Sequence, residues 1–179
     1  NWDARHFTMH GDWIRHETME KMAKYNIGHS TQTSVKYNIC DDMIAVMGAE
    51  RAGEQWPMKE LLDAGVKLCS SSDVPCSSPD WRIGVQTAVL REARLSGVVS
   101  GAHQCLTVAE AIRAYTMTPA WLDHEENNKG SIEVGKLADF VVLGQDITIC
   151  DPHKIMETPI LLTIVGGKEV FSAGSLTIE

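Results

Sequence analysis

Basic residues are scarce in this chain of 179 residues: 16 Lys and Arg stand against 24 Asp and Glu, a formal net charge of −8 at neutral pH. With no basic patch to offset that repulsion, nucleic acid and anionic membrane surfaces are disfavoured as partners. Long apolar runs are missing too. The longest, Ile160-Leu161-Leu162 with Ile164-Val165 after it, falls far short of the ~20 residues that a membrane-spanning helix needs. The opening Asn1-Trp2-Asp3-Ala4-Arg5 has no apolar h-region, so no signal peptide is expected; it also lacks an initiator Met, which points to a chain that begins mid-protein. The five cysteines, Cys40, Cys69, Cys76, Cys105 and Cys150, are odd in number and never fall in C-x-x-C spacing. That argues against a zinc ribbon and a disulfide framework, fits a reducing cytoplasm, and leaves buried thiols as the expected state.

What remains is the make-up of a globular protein, 44% apolar and 22% charged. Its length suits one domain or a little more, at about 100–200 residues per domain. Residues 4–10, ARHFTMH, alternate in the manner of a strand, with His6, Thr8 and His10 on one side. From Ile14 to Tyr25 the apolar positions suit a surface helix that turns Glu17, Glu20, Lys21 and Lys24 outward. A zincin motif is absent, since Glu20 stands where H-E-x-x-H would need its second His after His16-Glu17. His29 to Val35 reads as a polar strand and loop, and Asp41 to Glu54 is loosely patterned. Pro57 and Gly65 bracket a short helix, Met58 to Ala64, and the strand Val66 to Cys69 follows at once. Three serines then deliver Asp73 into a loop marked by Pro75 and Pro79, ahead of a helix expected over Ile83 to Leu95.

Strands alternating with helices specify a parallel α/β unit, and an acid just past a buried strand is where an α/β barrel keeps its chemistry. Thr107-Val108-Ala109-Glu110 is a capping box that opens a helix running to Thr118-Pro119. After a polar hinge, His124 to Gly130, the pattern turns to strands: Gly130 to Leu143, then Ile160 to Val165, a Gly166-Gly167 turn and Lys168 to Phe171 as a hairpin.

Taken in this order, the segments RHFTMH, SSSDVP, TVAEAIRAYTMTPA and GSIEVGKLADFVVL resemble the C-terminal part of the amidohydrolase superfamily, specifically amidohydrolase family 3. The resemblance implies the C-terminal portion of a (β/α)8 TIM-type barrel, from about its sixth strand, over residues 1–128, and part of a small β-sandwich over 129–179. It implies a divalent metal, most often zinc, and hydrolysis of a non-peptide C–N bond in an amide, formamide or N-acyl substrate. His10 would be a metal ligand, and Asp73 both a ligand and the proton carrier. Gln32, Trp81 and Arg82 are carried along as substrate-binding candidates. Gln32-Thr33 departs from the family's Gln-Pro, and the ligands on the family's earlier strands have no counterpart here. His29 and His103 are set aside as ligands, because a solvated or hydrogen-bonded histidine is the commoner case. The alternative reading is a non-catalytic remnant or assembly module, whose open sheet edges would pair with a second copy or with a separate N-terminal half.

Overall fold

The computed structural model describes residues 3–174. Its first sheet is parallel, in the order β1 (Phe7–Met9), β2 (Gly28–Thr31), β3 (Leu68–Ser70), with Thr8 opposite His29 and His29 opposite Leu68. Helix α1 (His16–Lys24) links the first two strands and buries Met19 and Met22. It stops where Asn26 turns left-handed at φ 55°, a conformation that Asn tolerates better than most residues.

The long helix α2 (Thr33–Met47) begins directly after Gln32, where the sequence predicts strand, loop and a loosely patterned stretch. Ser and Thr prefer caps and turns because their hydroxyls compete for backbone groups. Here tertiary contacts prevail: Thr33 Oγ1 pairs with Ser70 Oγ at 3.0 Å and with Tyr115 Oη at 3.3 Å, and α2 also buries Ser34, Lys36 and Cys40. Two short helices follow, α3 (Ala49–Gly53) and α4 (Met58–Asp63), the latter capped by Pro57 and stopped before Gly65 at φ 85°, as the sequence predicts.

Helix α5 (Trp81–Leu90) starts at Asp80, whose carboxylate accepts from the Arg82 amide, and it ends earlier than its sequence suggests. The reason is Arg91. It turns left-handed and is fully buried, and its guanidinium donates to the carbonyls of Gly53, Gln55, Trp56 and Ser100. Four buried carbonyls gain charge-assisted bonds that a further helical turn would break. The capping box at Thr107 and Glu110 forms, opening α6 (Val108–Tyr115), and α7 (Met117–Leu122) follows after Thr116.

The second sheet is antiparallel, in the order β4 (Phe140–Leu143), β5 (Ile160–Val165), β6 (Lys168–Ser172). Gly166 and Gly167 make its hairpin turn with φ 58° and 75°, the pair of positive values that a two-residue type I′ loop requires. Between β4 and β5, Ile147 and Ile155 reach back into the cluster built by Met58, Leu61, Leu68 and Val85, so both sheets share one core. All five cysteines are free; Cys40 and Cys69 are buried as expected, whereas Cys76, in the loop after Asp73, is exposed. No helix among the described residues is long and apolar enough to cross a membrane.

Candidate metal site at the strand ends

The carboxyl ends of β1 and β3 flank that of β2, and the residues just beyond them meet. His10 follows β1 with φ 65° and Asp73 lies beyond β3 with φ 59°. Left-handed backbone at two non-glycine residues is costly and clusters at functional sites. His10 Nε2 and Asp73 Oδ2 face each other at 4.0 Å, with 49% and 30% of the side chains exposed. That separation is too long for a hydrogen bond. It is within the reach of two donors on one ion, because zinc bonds of about 2.0–2.1 Å to nitrogen and about 2.0–2.2 Å to oxygen allow donors at most about 4.3 Å apart, and it is wider than the roughly 3.4 Å of a tetrahedral pair.

Each flank is held by its own loop. The His10 amide donates to the Ser30 carbonyl at 3.0 Å and to Gln32 Oε1 at 3.1 Å. Gly11 follows at φ 52°, and a Cβ there would come within 2.5 Å of His29 Cε1, so both the backbone and the space call for glycine. On the other flank the Ser71 amide donates to the Thr31 carbonyl at 2.9 Å, the Cys76 amide to the Asp73 carbonyl at 2.7 Å, and Ser77 Oγ to the Ser72 carbonyl.

The structure thus brings His10 and Asp73 together, ties Gln32 to the His10 amide, and gives Trp81 and Arg82 other partners. Gln32 is 1% exposed, and its carboxamide meets only protein groups: His10, Ser30 and Ser71. Trp81 lines a cavity of about 500 Å³ between α6 and the second sheet, with Ile112, Tyr115, Phe140 and Ile164. Arg82 pairs with Asp80 at 2.6 Å and donates to the Thr158 carbonyl, and the Asp80 carboxylate holds its guanidinium more firmly protonated than usual.

His29, set aside as a ligand, is fully buried behind the β1 end; Nδ1 shares a 2.8 Å hydrogen bond with Thr8 Oγ1, and Nε2 has no partner among the described residues. Burial pushes its pKa down to about 4, so the ring is neutral at physiological pH. His103 lies with Glu54 and Glu60 in an exposed group whose donor atoms fall within 4.8 Å of one another, at the end of α3, the first turn of α4 and a short 3-10 turn rather than at strand ends. The part played by Gln32 as a tie was not visible in sequence. The signal for it is an unbroken polar run, His29 to Ser34, which the fold buries completely.

Known proteins are similar to this chain in sequence and in fold. The YtcJ protein of Bacillus subtilis is 29% identical over 165 residues, covering 91% of this chain and 31% of that one. An N-substituted formamide deformylase of Arthrobacter pascens is 36% identical over 112 residues, 63% of this chain and 20% of that one. The chain therefore spans about a third or less of the length of these curated relatives. Among solved structures, an adenosine deaminase from Xanthomonas campestris with bound zinc shares the fold with a TM-score of 0.68, over 97% of this chain and 38% of that one, at 18% identity. The three parallel strands and their helices are accordingly a portion of a (β/α)8 barrel, followed by part of a small β-sandwich. A model described as the amidohydrolase family matches residues 1–171, and the chain belongs to that family, in the group called amidohydrolase family 3.

Proposed function

We propose that this chain is the C-terminal portion of a metal-dependent hydrolase that cleaves non-peptide C–N bonds in a small amide, formamide or N-acyl substrate. The observation that carries the reading is the pair His10 Nε2 and Asp73 Oδ2, 4.0 Å apart across the strand ends. The zinc in a protein of the same fold and the formamide chemistry named for a relative support it.

His10 would offer one neutral imidazole nitrogen as a ligand, and Asp73 one carboxylate oxygen. A divalent ion such as zinc, when bound, lowers the pKa of a water to about 7 and polarises the substrate carbonyl. A catalytic zinc takes three protein ligands, so further donors would come from beyond these residues. Asp73 then takes the proton of the attacking water and returns it to the leaving nitrogen, which leaves as a neutral amine. A loop position suits this exchange, because the carboxylate stays within reach of solvent and of a substrate entering over the strand ends.

The test uses the whole polypeptide that carries this chain. Asp73→Asn is expected to lower turnover of an N-substituted formamide by about 10²–10⁴-fold, the usual contribution of a positioned acid–base group, and to lower bound zinc. Unchanged turnover and zinc content would refute the reading. A second reading, a non-catalytic assembly module, is favoured by the exposed Phe7 and Met9 on edge strand β1. A whole polypeptide with no metal and no turnover would support it.

A further inference from the structure

Gln32 stands between the two flanks of the site. Its carboxamide orientation is fixed by chemistry: the His10 amide can only donate, so Oε1 faces it at 3.1 Å and Nε2 points away. Nε2 then donates to Ser30 Oγ at 3.2 Å and to Ser71 Oγ at 3.1 Å. One buried side chain at the end of the middle strand therefore holds the residue just past β1 and the residue just past β3. His10 is the first of these, and Asp73 lies two residues beyond the second.

We propose that Gln32 is a positioning residue: its carboxamide bridges the His10 amide and the Ser71 hydroxyl across β2 and so sets the separation of His10 from Asp73. This rests on the reading of that pair as metal ligands. Both candidate ligands have left-handed backbone, a conformation that persists only where neighbouring groups over-determine it. The His10 amide keeps its bond to the Ser30 carbonyl without Gln32, so the sheet retains its ladder when the carboxamide is removed. What is lost is the lateral tie. Partners behind a ligand orient it, and removing them commonly weakens metal binding by about 10–100-fold.

The experiment titrates the whole polypeptide with Co²⁺ in place of zinc, following affinity and the visible d–d bands that report ligand geometry. Gln32→Leu is expected to bind Co²⁺ at least tenfold more weakly, with shifted bands and an unchanged far-ultraviolet circular dichroism spectrum. Ser71→Ala cuts the same bridge at its other end and should shift the bands in the same sense. The double variant should be little worse than Gln32→Leu, because both substitutions break one connection. Wild-type bands and affinity in either single variant, or effects that simply add, would overturn the inference. Asp73→Asn separates the two levels. If it leaves Co²⁺ binding intact, the ligand reading itself fails; if it abolishes binding while Gln32→Leu has no effect, only the bridge fails.

Discussion

At the scale of the residue, His29 shows how burial decides a charge state. The ring is fully buried, and its pKa falls to about 4 because burial disfavours the charged form. An unfolded chain binds the proton near the ordinary pKa of about 6.5, so between these values the unfolded state carries more protons than the folded one. Stability therefore rises with pH across that window and falls as pH drops from about 6.5 through about 4. The gap amounts to about 3 kcal/mol once the pH lies below both values. Urea unfolding at several pH values checks this: His29→Gln, which cannot titrate, should show a much flatter profile from pH 4 to 6.5 than the wild type. An equally steep profile in the variant would place the titration elsewhere. In the sequence, the placement of Asp73 and His10 at strand ends was legible because each follows an apolar or alternating run. His29 was not, since a histidine inside a polar run gives no sign of whether it is buried.

At the scale of the element, the strap before β5 has the opposite pH response. His153, in the short 3-10 turn Pro152–Lys154, shares Nδ1 with Asp151 Oδ1 and Nε2 with Glu92 Oε1, both at 3.0 Å. The two carboxylates, Glu92 first, raise its pKa in the folded chain. A raised folded pKa adds stability that is complete below the ordinary value of about 6.5 and disappears as pH rises through the folded value. The strap also carries Ile155 into the core, and the Met156 amide donates to Gln86 Oε1 on α5. Loss of the His153 contacts should therefore loosen the strap locally. Hydrogen exchange at Met156 is expected to quicken as pH rises from 6 to 8, after correction for intrinsic exchange; His153→Gln should abolish that extra increase. The capping box and the Gly-Gly hairpin were legible because each is a local device. Helix α2 was not: its hydrogen bonds to Ser70 and Tyr115 join residues far apart in the chain, and no local propensity encodes them.

At the scale of the molecule, the parallel sheet leaves one strand exposed along its edge, β1. Among the described residues β1 and β3 each pair on one side only; β3 is buried, whereas Phe7 and Met9 on β1 are 50% and 56% exposed. Phe140, Val141, Val170 and Phe171 are exposed on the second sheet. Edge strands with apolar side chains recruit further strands, so this stretch taken alone should self-associate. Size exclusion with light scattering is expected to give species larger than the 19.7 kDa monomer, and Phe7→Lys, which charges the edge without touching the core cluster, should shift the population toward monomer. Metal binding follows from the same geometry. The strand ends supply two donors 4.0 Å apart, and two ligands hold zinc far less tightly than the three or four of natural sites. Zinc titration of this stretch alone should therefore show no stoichiometric binding at sub-micromolar concentration. The same titration of the whole polypeptide should show it, with loss in Asp73→Asn. Tight stoichiometric zinc on a monomer of the isolated stretch would mean that its own residues complete the site, and the division of ligands between this chain and the rest of its polypeptide would have to be abandoned.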